Sequence, residues 1–295
     1  MSADAVTVSA PAKLNLLLRI LARERDGYHT LETLFCLVSL ADTLRAERRA
    51  ERGISIDVDG AEVGPPEDNL AARAGALVLE ATGHRFGVHL TLTKRIPVRA
   101  GLGGGSSDAA AALHAVNALA NGAVPRHELL QFAARLGSDV PFFVTGAPLA
   151  LAWGRGERLL RLPPLPAAPA LLVTPPAGIG TADAYAWVDQ TRQTAARRGA
   201  VALDLDALSR WGDIGRMAGN DFESPVFERV PGIRAAFEAL AGTHPLVCRM
   251  SGSGSTLFAV YRSAGDREDA RLMLGRKHGR LEAVETLAAP ISAIG

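Results

Sequence analysis

Cysteine is scarce in this chain: Cys36 and Cys248 are the only two in 295 residues. Both sit in apolar runs, so free buried thiols are expected rather than a disulfide or a metal site. An excess of one charge is missing too. Lys and Arg number 32 against 31 Asp and Glu, a net charge of +1, which argues against a nucleic-acid partner. No apolar run approaches the roughly 20 residues of a membrane span. The N-terminus lacks the basic head and apolar stretch of a signal peptide. The expected setting is the cytoplasm, with no membrane partner. What is present is an ordinary globular balance, 48% hydrophobic and 21% charged, long enough for one large domain or two modest ones.

Period-two alternation marks strands in the first half. Ile54, Ile56 and Val58 alternate with polar residues, as do Val88, Leu90 and Leu92, a pattern of one buried and one polar face that favours an antiparallel or mixed sheet. Helices separate them. Asn69 is placed to cap one through Ala71, Ala74, Leu77 and Val78. Ser106 or Ser107 is placed to cap a second, with Leu113, Val116 and Ala120 on one face, and a third covers His127 to Leu136 and stops at Gly137. The proline-rich stretch 163–169 reads as an extended connector. Strands and helices alternate on both sides of it, which predicts two α+β domains, 1–162 and 163–295.

Four segments carry chemistry. The first, Pro97 to Ala110, leads from a strand into a helix and contains Gly101, Leu102, Gly103, Gly104, Gly105, Ser106 and Ser107. Glycines let the backbone turn tightly and approach a ligand, and the N–H groups and positive dipole end of the helix favour a phosphate. It is not a Walker A loop, since no Gly-Lys-Ser/Thr closes it, and the Rossmann spacing fails because serine stands at the third glycine. Second, Lys13 and Asn15 share one face of an apolar strand. Such a lysine either lies at a solvated edge or is buried to stabilise negative charge. Third, Asp139 lies between a turn and an apolar run, either capping a helix or acting as a general base toward an alcohol. Fourth, Arg249 to Phe258 holds a Gly/Ser turn between two strands.

These segments, in this order, resemble the signature motifs of the GHMP kinases, the galactokinase, homoserine kinase, mevalonate kinase and phosphomevalonate kinase superfamily. The stretch Arg25 to Phe35, with Asp26-Gly27-Tyr28-His29 followed by Leu31-Glu32-Thr33-Leu34-Phe35, is most similar to the branch that acts on a cytidine-diphosphate-linked polyol. Glu67-Asp68-Asn69-Leu70 and Asn220-Asp221-Phe222-Glu223 are similar to it as well. The resemblance spans about residues 8 to 262.

The resemblance implies a two-domain α+β fold whose N-terminal half is like a ribosomal-protein βα domain. It implies a small-molecule kinase that moves the γ-phosphoryl group of ATP, with Mg²⁺ carried on the nucleotide, to the 2-hydroxyl of 4-diphosphocytidyl-2-C-methyl-D-erythritol. Lys13 and Asp139 match the catalytic pair, and Pro97 to Ser107 the ATP phosphate loop. Asn69 and Lys94 match residues near the adenosine, and Asn15 one beside the acceptor. Tyr28 and His29 match residues that recognise cytidine, and Tyr185 stands where an aromatic covers the other face of the cytosine. Arg99 departs from the pattern, where a small residue is expected; it points outward or touches a phosphate. The tail after Arg262 carries no recognised motif.

Overall fold

Two long strands frame the molecule. β1 (Ala5–Arg23) and β2 (His29–Arg49) pair antiparallel along nearly their whole length. In this computed structural model, residues 4–61, 63–192 and 203–289 are described. After the hairpin come β3 (Gly53–Asp59), α1 (Leu70–Ala81), β4 (Gly87–Thr93), α2 (Gly104–Leu119), α3 (Arg126–Leu136) and α4 (Val140–Thr145). β5 (Leu149–Gly154) and β6 (Arg158–Arg161) follow, and the proline-rich stretch, neither helix nor strand over residues 162–168, leads to β7 (Pro169–Thr174). The rest comprises α5 (Thr181–Arg192), α6 (Trp211–Met217), β8 (Gly219–Asn220), α7 (Glu223–Arg229), α8 (Pro231–Ala241), β9 (Val247–Met250), β10 (Leu257–Val260), α9 (Ala264–Leu274) and β11 (Arg280–Glu285).

A seven-stranded sheet has the order β3-β4-β2-β1-β8, with β5 on the far stretch of β2 and β6 beyond it. It is mixed, as the alternation predicts: β3 pairs parallel with β4, and β8 parallel with β1. A second sheet, β11-β7-β10-β9, is antiparallel throughout. This is the α+β arrangement expected. The tail after Arg262, in which the sequence shows no motif, supplies α9 and the edge strand β11, while residues 290–295 lie outside the described residues. Both cysteines are free; Cys36 is buried and Cys248 only half-buried, because β9 is the edge strand of its sheet.

The N-cap expectations divide. Asn69 caps α1, its side chain accepting from Ala71 N–H. The serines do not cap α2, which begins four residues earlier than a Ser107 cap requires, with Gly103 at the N-cap in the left-handed region, φ +71°. Glycine enters that conformation without a Cβ penalty, so the helix starts on backbone geometry and the serines fall in its first turn.

Irregularities in β1 position the site. The ladder to β2 shifts register between Pro11 and Lys13 and again between Asn15 and Leu17. A bulge changes which face successive side chains take. Before the first shift, Val6, Val8 and Ala10 pack into the core under α1 and α2. After it, Ala12, Leu14 and Leu16 pack into the core shared with β7 and β10. Lys13 and Asn15 therefore turn toward the helix side, where α2 begins.

Candidate active site

Lys13 is buried, and its ammonium donates to Asn15 Oδ1 at 2.6 Å and to Gly101 O at 2.9 Å. It lies 5.5 Å from the Phe35 ring centroid and 3.7 Å from Asp139 Oδ2. The edge-lysine alternative is thereby removed. Burial pulls Lys13 below its ordinary lysine value, and the Asp139 charge acts to raise it again. Asn15 also donates to Thr33 Oγ1 at 2.7 Å, and Thr33 in turn donates to Leu17 O at 2.7 Å. The lysine is thus fixed by a chain of side chains on two strands.

Asp139 stands directly before α4 but makes no capping hydrogen bond. Its side chain is 32% exposed and faces a cavity of about 690 Å³, within the usual range for a small-molecule site.

The glycine loop closes over Lys13. Lys13 N–H donates to Leu102 O, Ser251 Oγ donates to Gly101 O at 2.9 Å, and Thr256 N–H donates to Ala100 O. A Cβ on Gly101 would fall 2.1 Å from Ser251 O, and one on Gly103 2.9 Å from the Phe143 ring and 3.1 Å from the Lys13 chain. The first helical bond of α2 runs from Ser107 N–H to Gly103 O, so the N–H groups of Gly104, Gly105 and Ser106 are free of helical partners at a positive dipole end. Leu102 is buried, as is Ser107, whose Oγ has no partner. Arg99 is exposed at φ +55°.

Lys94 lies beneath this loop, bonded to Asp42 and, at 2.6 Å, to Asp108. Asp42 also accepts from the N–H groups of Arg95 and Ile96. One ammonium thus serves two buried carboxylates, and burial pushes Asp108 up to about 7. Lys94 and Pro97 line a second cavity, Asn69 lines a third, and the two share Ala61.

At the other end of the large cavity lie Tyr28, His29 and Tyr185. Tyr28 is 58% exposed, and the Arg155 guanidinium sits over its ring at 4.0 Å. Arg155 is itself held by Glu24 and Asp26, and Asp26 Oδ1 accepts from Tyr28 N–H. Tyr185 stacks on His29 at 4.7 Å and meets Phe222 edge-on at 4.9 Å. Burial, with the charge of Asp139 adding to it, pushes the Tyr185 hydroxyl up to about 12. His29 is buried, with Nε2 2.7 Å from Asp189 Oδ1.

The structure therefore gathers Lys13, Asn15, Tyr28, His29, Gly101, Gly103, Asp139 and Tyr185 around one cavity. Asn69, Lys94 and Pro97 stand apart from it, across the glycine loop. The sequence reasoning missed Arg155 and Asp189, and it gave no individual role to Thr33 or Ser251, although both lie in stretches it singled out. Asn220 ties the parts together: its Nδ2 donates to Met250 O and Gly252 O, and its Oδ1 accepts from Phe222 N–H.

Comparisons with known proteins accord with this geometry. The GHMP kinases N terminal domain profile matches residues 69–147 and the GHMP kinases C terminal profile matches 184–281. A 4-diphosphocytidyl-2-C-methyl-D-erythritol kinase of Moorella thermoacetica is 41% identical over 92% of this chain and 95% of its own. Its counterpart from Bordetella bronchiseptica is 44% identical over 86% of this chain and 81% of its own. A crystal structure of 4-(cytidine 5'-diphospho)-2C-methyl-D-erythritol kinase superposes with a TM-score of 0.80 at 36% identity, covering 95% of this chain and 98% of that one. Homoserine kinase from Cytophaga hutchinsonii, at 19% identity and a TM-score of 0.71, shares the fold. The chain belongs to the GHMP kinases and, within them, to the 4-diphosphocytidyl-2-C-methyl-D-erythritol kinase family.

Proposed function

We propose that this protein transfers the γ-phosphoryl group of ATP to the 2-hydroxyl of 4-diphosphocytidyl-2-C-methyl-D-erythritol, a step toward isoprenoid precursors by the non-mevalonate route. The observation that carries this is the Lys13–Asp139 pair, 3.7 Å apart, between the glycine loop and a cavity whose far wall is aromatic.

Phosphoryl transfer is largely positioning and electrostatic stabilisation. The unbonded N–H groups of Gly104, Gly105 and Ser106 hold the triphosphate, and the adenosine lies toward the two cavities lined by Asn69 and by Lys94 with Pro97. Ser107 supports the loop from within the first turn of α2. Asp139 accepts the proton of the acceptor hydroxyl as the new phosphorus–oxygen bond forms. Lys13 offsets charge on the reacting oxygens, with Asn15 keeping its ammonium in place. Among the described residues no group of three or more His, Cys, Asp or Glu is gathered around a metal position. Mg²⁺ would come with ATP on phosphate oxygens and waters, where it would neutralise phosphate charge.

Tyr28 offers the face opposite Arg155 to the cytosine, Tyr185 bounds the other side, and His29 meets the pyrimidine edge. Residues 1–162 carry the nucleotide loop and 163–295 complete the acceptor site, with a small molecule as partner and the cytoplasm as setting. No helix among the described residues is long and apolar enough to cross a membrane. The test is purified protein with ATP-Mg²⁺ and the cytidine-diphosphate acceptor beside homoserine and mevalonate, with products identified by mass. Phosphorylation of the cytidine compound is expected, and turnover of another alcohol in its place refutes the reading.

A further inference from the structure

His29 has two ring nitrogens, and the structure accounts for one. Nε2 is 2.7 Å from Asp189 Oδ1, and the other oxygen of that carboxylate lies 3.4 Å from Arg23 Nη1. An ionised carboxylate only accepts, so Nε2 carries a proton. In the neutral ring Nδ1 is then an acceptor. It has no partner among the described residues, and His29 lines the large cavity between Tyr28 and Leu31. The ring cannot swing freely, since Tyr185 stacks on it with the planes 23° apart. Asp189 projects from α5, far along the chain, and also lines the cavity.

We propose that Asp189 is a positioning residue for base specificity: by holding Nε2–H it fixes His29 in the tautomer whose Nδ1 accepts from the exocyclic amine of a cytosine. A uracil presents a carbonyl oxygen at that place. Acceptor then faces acceptor in a buried site, and neither is satisfied. The base preference is therefore set by a carboxylate that does not touch the base, as outer carboxylates fix the tautomer of ligating histidines elsewhere. Arg23 steadies the carboxylate from solvent. This inference rests on the reading that His29 meets the pyrimidine edge.

Asp189→Asn tests it. The amide is isosteric, but its NH₂ can donate to Nε2 and release the tautomer. With the cytidine acceptor and its uridine counterpart, the variant is expected to lose about tenfold of the preference in kcat/KM, the effect of one charge-assisted hydrogen bond. The change should lie mainly in KM, and the Asp189→Asn/His29→Ala double variant should be no less selective than His29→Ala alone. If His29→Ala shifts KM and base preference while Asp189→Asn leaves both at wild-type values, the positioning role is refuted and the base reading stands. If His29→Ala is itself silent, the base reading falls and this inference falls with it. A lowered melting temperature with unchanged base preference marks Asp189 as structural and also refutes the role. The ¹⁵N spectrum of His29 in the wild-type protein provides a check independent of any variant: protonation at Nε2 alone is expected, and a proton on Nδ1 overturns the inference.

Discussion

Asp139→Asn separates catalysis from architecture at one atom. The side chain precedes α4, where an aspartate ordinarily caps, yet no capping bond is made. Loss of a true cap costs about 1 kcal/mol, a cost this substitution should not incur. The side chain is also 32% exposed, so no packed volume is removed. Its nearest charge is Lys13 at 3.7 Å, longer than a hydrogen bond. Lys13 meanwhile keeps its bonds to Asn15 and Gly101, so its position survives the change. What the amide cannot do is accept the hydroxyl proton. A general base is worth about 10² to 10⁴ in rate, or about 2.7 to 5.4 kcal/mol of barrier. We therefore expect kcat, followed by ADP release at saturating ATP and acceptor, to fall by at least about 10². The melting temperature should move little. Near-normal kcat with a large loss of stability would show that Asp139 is structural and that the proton leaves by another route.

Three further substitutions probe the rest of the site. Gly103→Val should weaken binding of an ATP analogue and also lower kcat, because its Cβ would meet the Lys13 chain at 3.1 Å in a backbone at φ +71°; calorimetry showing unchanged nucleotide affinity removes the loop from the phosphate site. Tyr28→Ala should raise KM for the cytidine acceptor roughly 5- to 150-fold on a stacking energy of about 1–3 kcal/mol, with ATP KM nearly unchanged, since the ring is mostly exposed and supports no core; wild-type KM would place the cytidine pocket elsewhere. Asp108→Asn tests the buried cluster under the loop. Burial raises the Asp108 carboxyl from 3.8 to about 7, so the folded state binds the extra proton, and the stability this contributes is fully present below the unfolded value and lost as pH rises through about 7. The melting temperature of the wild type relative to Asp108→Asn should decline over that window, and a pH-independent difference would refute the shift.

Much of this site is legible in the sequence, and the reason is local geometry. A glycine loop is a backbone device, so its chemistry appears in consecutive residues from Gly101 to Gly105. Lys13 and Asn15 stand out because two polar residues on one face of an apolar strand demand an explanation. Residues that act through distant packing are harder to read. Asp189 is one polar position on a mixed helix, and nothing in α5 points to His29 in β2. Arg155 belongs to a tight turn between β5 and β6, where an arginine is ordinary. Asp42 did carry a signal: it interrupts the apolar stretch from Leu37 to Leu44. A buried carboxylate needs a partner, and that requirement leads to Lys94. The serines after the glycines misled in the opposite direction, because side-chain preferences at helix starts lose to the left-handed backbone that Gly103 supplies.

The same reasoning explains why a lysine can be buried here at all. An ammonium placed in an apolar strand is costly unless it is hydrogen-bonded and paired. Regular alternation would hold positions 13 and 15 on the face occupied by Thr7, Ser9 and Pro11, away from the helix-side core. The register shift after Pro11 turns them inward, toward Phe35, Phe143 and the start of α2. Asn15 and Gly101 O then satisfy two of the three N–H groups. The third has no hydrogen-bond acceptor as close, and Asp139 lies just beyond contact distance. An ammonium with one donor in reserve, beside unbonded helix N–H groups, suits the charge-stabilising role proposed for it in phosphoryl transfer. On the proposed reading, the triphosphate would supply the acceptor that the third N–H group of Lys13 lacks.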